Sequence, residues 1–235
     1  MKENKMRLDR FLAAATGCSR AQAAQWVRAG RVRVGESIAR EPSRHVTDGE
    51  GVWLDEAPLR VEGPRYFLLH KPAGYVCSHR DEGGHLSALR LLDVPRREDL
   101  HFAGRLDADT TGLVLLTDDG AWSHRISAPR RACVKVYRAE LAEPLVAGAE
   151  TALAEGLMLH GETRPTRPAR LERLSPTLVR LFIDEGRYHQ VKRMFAALGN
   201  RVLRLHREQV GSLTLEQTPQ PGQWRVLCES ERDGV

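Results

Sequence analysis

Two acidic side chains lie on a short polar segment immediately before an apolar run. Asp107 and Asp109 precede Gly112 and the apolar residues 113–116, and a second polar turn follows at 118–120. An apolar run bounded by turn residues predicts a strand that is buried on both faces. The carboxylates are therefore expected at the edge of a rigid core, where one of them could act as a nucleophile or as a base. The alternative is a structural role, which the spacing alone favours, because Asp side chains often stabilise turns.

A tyrosine further along the chain is the second candidate for chemistry. Residues 133–138 alternate in character and predict a strand. The alternation places Val134 and Val136 on the core face, and Lys135 and Tyr137 on the opposite face, where Tyr137 would look into a cleft. The alternative is a packing aromatic with its hydroxyl at the surface.

A basic residue on a predicted helix is the third candidate. The helix begins near His189 and ends at Gly199, and its apolar stripe has helical spacing: Val191, Met194, Phe195 and Leu198. Lys192 lies off that stripe and shares a face with His189. One turn of this helix therefore presents polar groups to a site.

The composition limits the class of protein. The chain has 235 residues, enough for one large domain or two modest ones, and its 41% hydrophobic content is typical of a globular protein. No apolar run approaches the roughly 20 residues of a membrane span, and the polar first residues lack the apolar core of a signal peptide. We therefore expect a cytoplasmic protein that does not associate with a membrane.

The cysteines predict neither disulfides nor a metal centre. They lie far apart, without a Cys-x-x-Cys pair, at positions 18, 77, 133 and 228. Cys77, His79 and His85 are close in sequence, but no fourth ligand stands at a customary spacing. We expect reduced packing cysteines and no metal.

The distribution of charge predicts a polyanionic partner. The net charge is +5, and two segments, 124–138 and 186–207, contain basic residues and no acids. Apolar residues interleave with these cations, which places the charges on ordered elements and suits contacts to phosphates. The cations are Arg125, Arg130, Arg131, Lys135 and Arg138 in the first segment, and Arg187, Lys192, Arg193, Arg201, Arg204 and Arg207 in the second.

The first sixty residues predict a separate small module. Leu8, Leu12 and their neighbours have the spacing of one helix face, and Ser19 and Gln22 have the form of a capping box for a second helix. Short strands follow, and residues 56–64 have the composition of a linker. This arrangement resembles the S4 domain, an RNA-binding module of ribosomal protein S4 and several RNA-modifying enzymes. The resemblance implies RNA contacts for the basic residues of the module, although each one alone could be a solvated surface residue: Arg7, Arg10, Arg20, Arg28, Arg31 and Arg33.

Residues 104–120 resemble the Gly-Arg-Leu-Asp signature of the RsuA family of RNA pseudouridine synthases. Three further segments follow the family pattern in order: the Lys-Pro pair at 71–72, a Lys-x-Tyr motif at 135–137, and the Gly-Arg-x-His-Gln-Val-Lys motif at 186–192. His70 departs from the family, which usually has Asn before the Lys-Pro pair. The resemblance covers essentially the whole chain.

This resemblance implies roles for individual residues. Asp107 takes the place of the catalytic aspartate, with Arg105 as its active-site neighbour. Thr111 and Gly112 shape the loop, whereas Asp109 falls in a variable position and keeps its structural interpretation.

The other two motifs supply an aromatic ring and a cation. Tyr137 takes the place of the tyrosine that stacks on the target uracil. Lys192 takes the place of the basic residue that keeps Asp107 ionised and oriented, with Arg187 as the alternative. The resemblance implies a supporting structural role for His189 within the motif, and we do not expect it to act in acid–base catalysis.

The implied fold is α+β, with an S4-like RNA-binding domain at residues 1–60 and a catalytic domain with a largely antiparallel central sheet at 61–235. The implied activity is that of an isomerase, which breaks the bond between uracil N1 and ribose C1′ and rejoins the base through C5. Nothing is oxidised or added, so no cofactor is expected, in agreement with the absence of a phosphate-binding loop or dinucleotide motif.

Residues 74–78 and 117–126 are most similar to the branch of the family that modifies 16S rRNA. We therefore expect 16S rRNA as the partner, within a precursor of the small ribosomal subunit, and a monomeric enzyme. The alternatives are a member of the same family that acts on 23S rRNA, a non-catalytic RNA-binding assembly factor, and a different RNA-modifying enzyme such as a methyltransferase.

Overall fold

A computed structural model describes residues 5–47, 49–61, 63–127, 133–218 and 220–235. The chain divides into two compact units, residues 1–63 and residues 64–235. Within the described ranges, no helix has the length and apolar character that a bilayer crossing requires.

The N-terminal unit packs two short helices against small sheets. The helices are α1 (Leu8–Thr16) and α2 (Arg20–Arg28), and the strands are β1 (Met6–Arg7), β2 (Val32–Val34), β3 (Ser37–Ile38), β4 (His45–Val46), β5 (Val52–Leu54) and β6 (Ala57–Leu59). β1 pairs with β4, and the other strands form an antiparallel sheet in the order β3-β2-β5-β6. The core between helices and sheets contains Leu8, Leu12 and Val27.

Local sequence explains where the second helix starts. Ser19 accepts a hydrogen bond from the backbone N–H of Gln22 at 3.2 Å, which caps α2 as predicted. The predicted linker at 56–64 is partly wrong, because residues 57–59 form β6 and pair with β5. Asp48, which the sequence places in a turn, lies outside the described residues.

The C-terminal unit contains a nine-stranded sheet. Its strands are β7 (Tyr66–Lys71), β10 (His101–Phe102), β11 (Thr111–Thr117), β12 (Lys135–Leu141), β13 (Arg170–Arg173), β14 (Leu178–Ile183), β15 (Val202–Val210), β16 (Leu213–Thr214) and β17 (Trp224–Val226), while β8 (Tyr75–Val76) and β9 (Leu86–Ser87) form a separate pair. The helices are α3 (Gly120–Ser127), α4 (Ala149–Glu155), α5 (Gln190–Ala197) and α6 (Glu229–Asp233). The main path of the sheet is β13-β14-β12-β15-β11-β7-β17, and its pairs are antiparallel except β11 with β15. The predicted α+β class with a largely antiparallel sheet is confirmed.

Strand β11 separates two hydrophobic cores. Val114 and Leu116 belong to the larger cluster, which includes residues of α4 and α5, whereas Leu113 and Leu115 belong to a second cluster with Trp122 of α3. Residues 112–117 of the strand are buried on both faces, as the apolar run predicts.

A glycine allows the parallel contact between β11 and β15. Gly112 has φ +113°, and a Cβ at this position would lie 2.3 Å from the carbonyl oxygen of Arg207. Any other residue would therefore clash with the β15 backbone. The loop that carries Asp107 enters the sheet through this close approach.

Candidate active site

Asp107 lies on a well-anchored loop between β10 and β11. The backbone N–H of Thr110 donates to the Asp107 carbonyl at 3.1 Å, and the N–H of Gly74 donates to the Ala108 carbonyl at 2.8 Å. Leu106 is buried next to Asp107, whose own side chain is 28% exposed. The carboxylate is thus held in place while it remains accessible.

A lysine of α5 lies between two carboxylates of this loop. Lys192 Nζ is 3.1 Å from Asp107 Oδ2 and 2.7 Å from Asp109 Oδ1. Burial opposes the charge of Lys192, but its hydrogen bonds to Asp109 and Asp107 outweigh burial and raise the pKa of Lys192. Although burial acts in the opposite direction, the hydrogen bond from Lys192 lowers the pKa of Asp109. The sequence pattern predicts only a structural role in the turn for Asp109 and does not predict this contact with Lys192.

A histidine occupies the other side of the Asp107 carboxylate. His189 Nε2 lies 3.3 Å from Asp107 Oδ1. His189 precedes α5 with a left-handed backbone, φ +48°, instead of lying on its first turn. No sequence pattern predicts this conformation for a histidine, so the contact was missed.

Buried polar side chains hold the segment ahead of α5. Gln190 Nε2 donates to Glu185 Oε1 at 2.8 Å, and Gln190 Oε1 accepts from the Arg187 N–H at 2.8 Å. Glu185 also accepts from the N–H of Arg167 at 3.0 Å. Since Glu185 and Gln190 are both buried, this network fixes the position from which α5 presents Lys192.

The alternative cation, Arg187, does not reach Asp107. Its guanidinium donates to the carbonyls of Arg164 and Pro165, at 2.9 Å and 2.6 Å, and pairs with Glu185 at 3.3 Å. The prediction of Arg187 as a substitute partner of Asp107 is therefore wrong. Arg105, in contrast, is exposed two residues before Asp107.

The predicted orientation of Tyr137 is wrong. Val134 is exposed and lies outside β12, whereas Lys135, Val136 and Tyr137 are all buried. The pairing of β12 with β15 shifts register between Val136 and Tyr137, which breaks the simple alternation. Tyr137 is 8% exposed and contributes to the larger hydrophobic core.

A buried arginine connects Tyr137 to the Asp107 loop. Arg207 is 3% exposed, and its Nη1 donates to the Tyr137 hydroxyl at 3.3 Å and more weakly to the Arg105 carbonyl at 3.5 Å. Its Nε donates to the Leu113 carbonyl at 2.7 Å. The prediction of Arg207 as a surface contact to phosphate is therefore wrong, since the buried side chain connects Tyr137 to the loop at Arg105 and to strand β11 at Leu113.

Two lysines near the site, Lys71 and Lys135, are also buried. Lys71 Nζ donates to the Pro72 carbonyl at 2.9 Å and to the Ala108 carbonyl at 3.4 Å. Lys135 Nζ donates to the Ile126 carbonyl at 3.3 Å. Burial lowers the pKa of Lys71 and the pKa of Lys135. Lys71 thus anchors the backbone directly after Asp107, and Lys135 is not a surface contact to phosphate.

Two histidines lie against the start of β11. His206 Nδ1 is 2.8 Å from the Thr111 hydroxyl, and the His206 ring meets the ring of His70 edge-on at 5.4 Å. Burial, together with the neighbouring His70, lowers the pKa of His206 to about 4. His70, which departs from the family pattern, donates from Nδ1 to the Thr218 carbonyl at 3.1 Å.

The basic residues of the N-terminal unit differ in how they are held. Arg7 and Arg20 both pair with Asp9. Their hydrogen bonds, chiefly the one from Arg7, lower the pKa of Asp9 to about 2. Arg31 pairs with Asp55, while the guanidinium of Arg33 lies 3.8 Å from the centre of the Trp53 ring. Arg10 and Arg28 are exposed on α1 and α2. Arg130 and Arg131 lie outside the described residues.

The described residues contain no group of three or more His, Cys, Asp or Glu side chains arranged to hold a metal ion. The site thus combines the accessible carboxylates of Asp107 and Asp109, shared by Lys192, with His189 on the other side of Asp107. The buried pair of Tyr137 and Arg207 is hydrogen-bonded to the loop through the Arg105 carbonyl.

Comparisons with known proteins agree with these motifs. Residues 65–197 match the family model described as RNA pseudouridylate synthase, and residues 6–52 match the S4 domain. The chain is 49% identical to ribosomal small subunit pseudouridine synthase A of Vibrio cholerae over 96% of this chain and 97% of that protein. It is 51% identical to the Escherichia coli K12 protein of the same name, over 96% and 98% of the two chains. A solved structure described as a pseudouridylate synthase has a TM-score of 0.70 and 44% identity, and covers 97% of this chain and 99% of its own.

Proposed function

We propose that this chain, which belongs to the RNA pseudouridylate synthase family, converts a uridine of 16S rRNA to pseudouridine with Asp107 as the catalytic carboxylate. The observation that carries this proposal is the position of Asp107, accessible on an anchored loop and within 3.3 Å of both Lys192 and His189. The relatives named above act, by their names, on the small ribosomal subunit.

The reaction requires one bond to break and another to form at ribose C1′. The N1–C1′ bond breaks, the base turns, and the C5–C1′ bond forms, after which C5 releases its proton and N1 carries one. An ionised Asp107 serves this sequence either as a nucleophile or as the base that removes a ribose proton. In both cases the Lys192 ammonium, 3.1 Å away, balances the negative charge of the carboxylate. Because no atom or electron is added, the reaction needs no cofactor.

The target uridine must leave its base stack to reach Asp107, at a cost of a few kcal/mol. We assign the stacking contact to Tyr137, which is 8% exposed and whose hydroxyl accepts a hydrogen bond from Arg207. Exposed Arg105 would occupy the space that the extruded base leaves. These contacts offset the cost of extrusion.

We further propose that the chain consists of an S4-type RNA-binding domain, residues 1–60, and a catalytic domain, residues 61–235. The first supplies phosphate contacts, for which exposed Arg10 and Arg28 are the best candidates because neither side chain is committed to a carboxylate among the described residues. The other four arginines would contact phosphates through the parts of their guanidinium groups that face solvent: Arg7, Arg20, Arg31 and Arg33.

The proposed substrate is 16S rRNA within a precursor of the small subunit, modified by a monomeric enzyme in the cytoplasm. Carbodiimide adducts of pseudouridine, mapped by primer extension on 16S and 23S rRNA, test this choice in cells that lack the protein. Loss of one stop in 16S rRNA alone supports the proposal. Loss of a stop in 23S rRNA would assign the large-subunit alternative, and unchanged stops in both would indicate a non-catalytic protein.

A further inference from the structure

Tyr188 presents an unusually exposed aromatic ring beside the active site. The residue is 73% exposed, the highest value among the large hydrophobic residues exposed in the described chain. The ring is stacked on His189, with the two centroids 3.8 Å apart and the planes inclined by 22°. The face of Tyr188 directed away from His189 has no ring partner in the described chain.

The backbone that carries this stack is rigidly held. The Tyr188 carbonyl accepts from Arg193 Nη1 at 3.1 Å, and Arg193 is itself fixed by Glu162 at 2.9 Å. His189 has a left-handed backbone, which costs a non-glycine residue about 1 kcal/mol or more. Such strain persists only where surrounding contacts impose it, as the buried Glu185–Gln190 network does here. The result is a preorganised aromatic platform at the surface, formed by Tyr188 and His189.

The platform adjoins Asp107, the carboxylate to which the proposed function assigns catalysis. His189 contacts Asp107 at 3.3 Å, so the Tyr188 ring lies one ring beyond the residue that touches the catalytic carboxylate. Lys192 and Arg193 lie in the same turn of α5, and each is paired with a carboxylate. Exposed aromatic rings next to cations are the usual means of binding unpaired bases.

We propose that Tyr188 stacks on the base of a nucleotide directly adjoining the target uridine. This inference rests on the proposed function. Extrusion of the uridine leaves each neighbouring base without a stacking partner on one side. The Tyr188 ring replaces that partner and thereby stabilises the RNA in its opened form. Because every base has an aromatic face, the contact promotes binding without selecting a base.

Equilibrium binding of a 16S-derived hairpin to Tyr188 variants tests the stack. The measurement uses the full chain in an Asp107→Asn background, so that the uridine is not converted. Tyr188→Ala is expected to raise Kd about tenfold, which corresponds to about 1.4 kcal/mol, whereas Tyr188→Phe and Tyr188→Trp stay within about twofold because they keep a ring. Leu203→Ala removes another exposed apolar side chain and serves as the matched control.

RNA with an abasic nucleotide on the 5′ or the 3′ side of the target completes a double-mutant cycle. At one of the two positions, removal of the base is expected to raise the Kd of the chain with Tyr188 about tenfold. The same abasic RNA should leave the Kd of the Tyr188→Ala variant unchanged. Additive losses at both positions would overturn the proposal, as would a Tyr188→Phe variant that binds as weakly as Tyr188→Ala.

Turnover separates this proposal from the proposed function. If the chain with native Asp107 releases no tritium from 5-tritiated uridine in rRNA, the proposed function fails, while the binding cycle still decides whether Tyr188 stacks on RNA. If Tyr188→Ala lowers kcat and leaves Kd unchanged, the ring acts on Asp107 through His189 and the stacking proposal is overturned.

Discussion

Lys192 Nζ lies 3.1 Å from Oδ2 of Asp107, although the lysine belongs to α5 and the aspartate to the loop before β11. The same ammonium group is 2.7 Å from Asp109, so one cation serves two carboxylates. Without it, two negative groups would face each other. Lys192 is therefore the cation that balances the negative charge of both carboxylates.

Replacement of Lys192 with Met should move the acid limb of the rate profile to higher pH, because the unbalanced carboxylates then accept a proton more readily. RNA affinity should change less than about threefold, since at most one phosphate contact is lost. Steady-state rates between pH 5 and 9 measure the shift, with Arg173→Met as the control because Arg173 pairs with Glu150. An unchanged profile with a tenfold loss of RNA binding would instead make Lys192 a phosphate contact.

The ion pair also has a defined effect on the fold. Lys192 lowers the pKa of Asp109 in the folded chain. The pair therefore stabilises the fold at pH values above the ordinary Asp pKa of ~3.9. This contribution is lost as the pH falls through the lowered pKa of Asp109 in the folded chain.

Tyr137→Phe should separate the ring from its hydroxyl. The ring remains in the core, so RNA affinity should stay within about twofold. Arg207 loses its acceptor at 3.3 Å, which should lower the free energy of unfolding by about 2 kcal/mol. We expect turnover to fall at least tenfold, since the Arg207 contact no longer fixes the ring. Single-turnover kinetics and urea unfolding measure the two effects, and near-normal turnover would leave stacking as the only role of Tyr137.

Gly112→Ala should destabilise the catalytic unit by about 2–4 kcal/mol, because the new methyl group clashes with the Arg207 carbonyl at a positive φ. Gly120→Ala is the matched control, since a Cβ there meets no atom within 4 Å and its φ is not positive. Thermal unfolding compares the two. Equal stability of both variants would refute the proposed close approach of β11 and β15.

Removal of the N-terminal unit should weaken RNA binding and leave the remaining unit folded. The salt dependence of binding should also decrease, because each lost phosphate contact reduces the slope of log K against log salt by about 0.7–0.9. Binding of residues 64–235 at several salt concentrations, together with circular dichroism, tests both statements. An unchanged slope of log K against log salt would contradict the assignment of RNA binding to residues 1–60.

Local patterns predicted the elements better than the contacts between them. The apolar run at 113–116 predicted a strand buried on both faces, and the capping box at Ser19 predicted the start of α2; both are confirmed. Hydrophobic period and capping are properties of neighbouring residues, so one sequence suffices to recognise them.

The contacts and orientations that the sequence did not predict involve long polar side chains and irregular backbone. Lys71, Lys135 and Arg207 belong to residue types that are usually exposed, and tertiary partners alone reveal their burial. For Arg207 a signal existed, because a strand places it on the same face as buried Leu205. The register shift at Tyr137 and the left-handed conformation of His189 depend on how strands pair and how α5 is held, which no local pattern encodes.

Tritium release from 5-tritiated uridine in 16S rRNA, measured for the Asp107→Asn and Asp109→Asn variants, tests the catalytic role of Asp107 most directly. The amide at position 107 can serve neither as nucleophile nor as base, so release should fall to background while RNA affinity and thermal stability stay near those of the native chain. Asp109→Asn should keep most of the activity, because Lys192 still contacts Asp107. Continued release by the Asp107→Asn variant would contradict the assignment of Asp107 as the catalytic carboxylate.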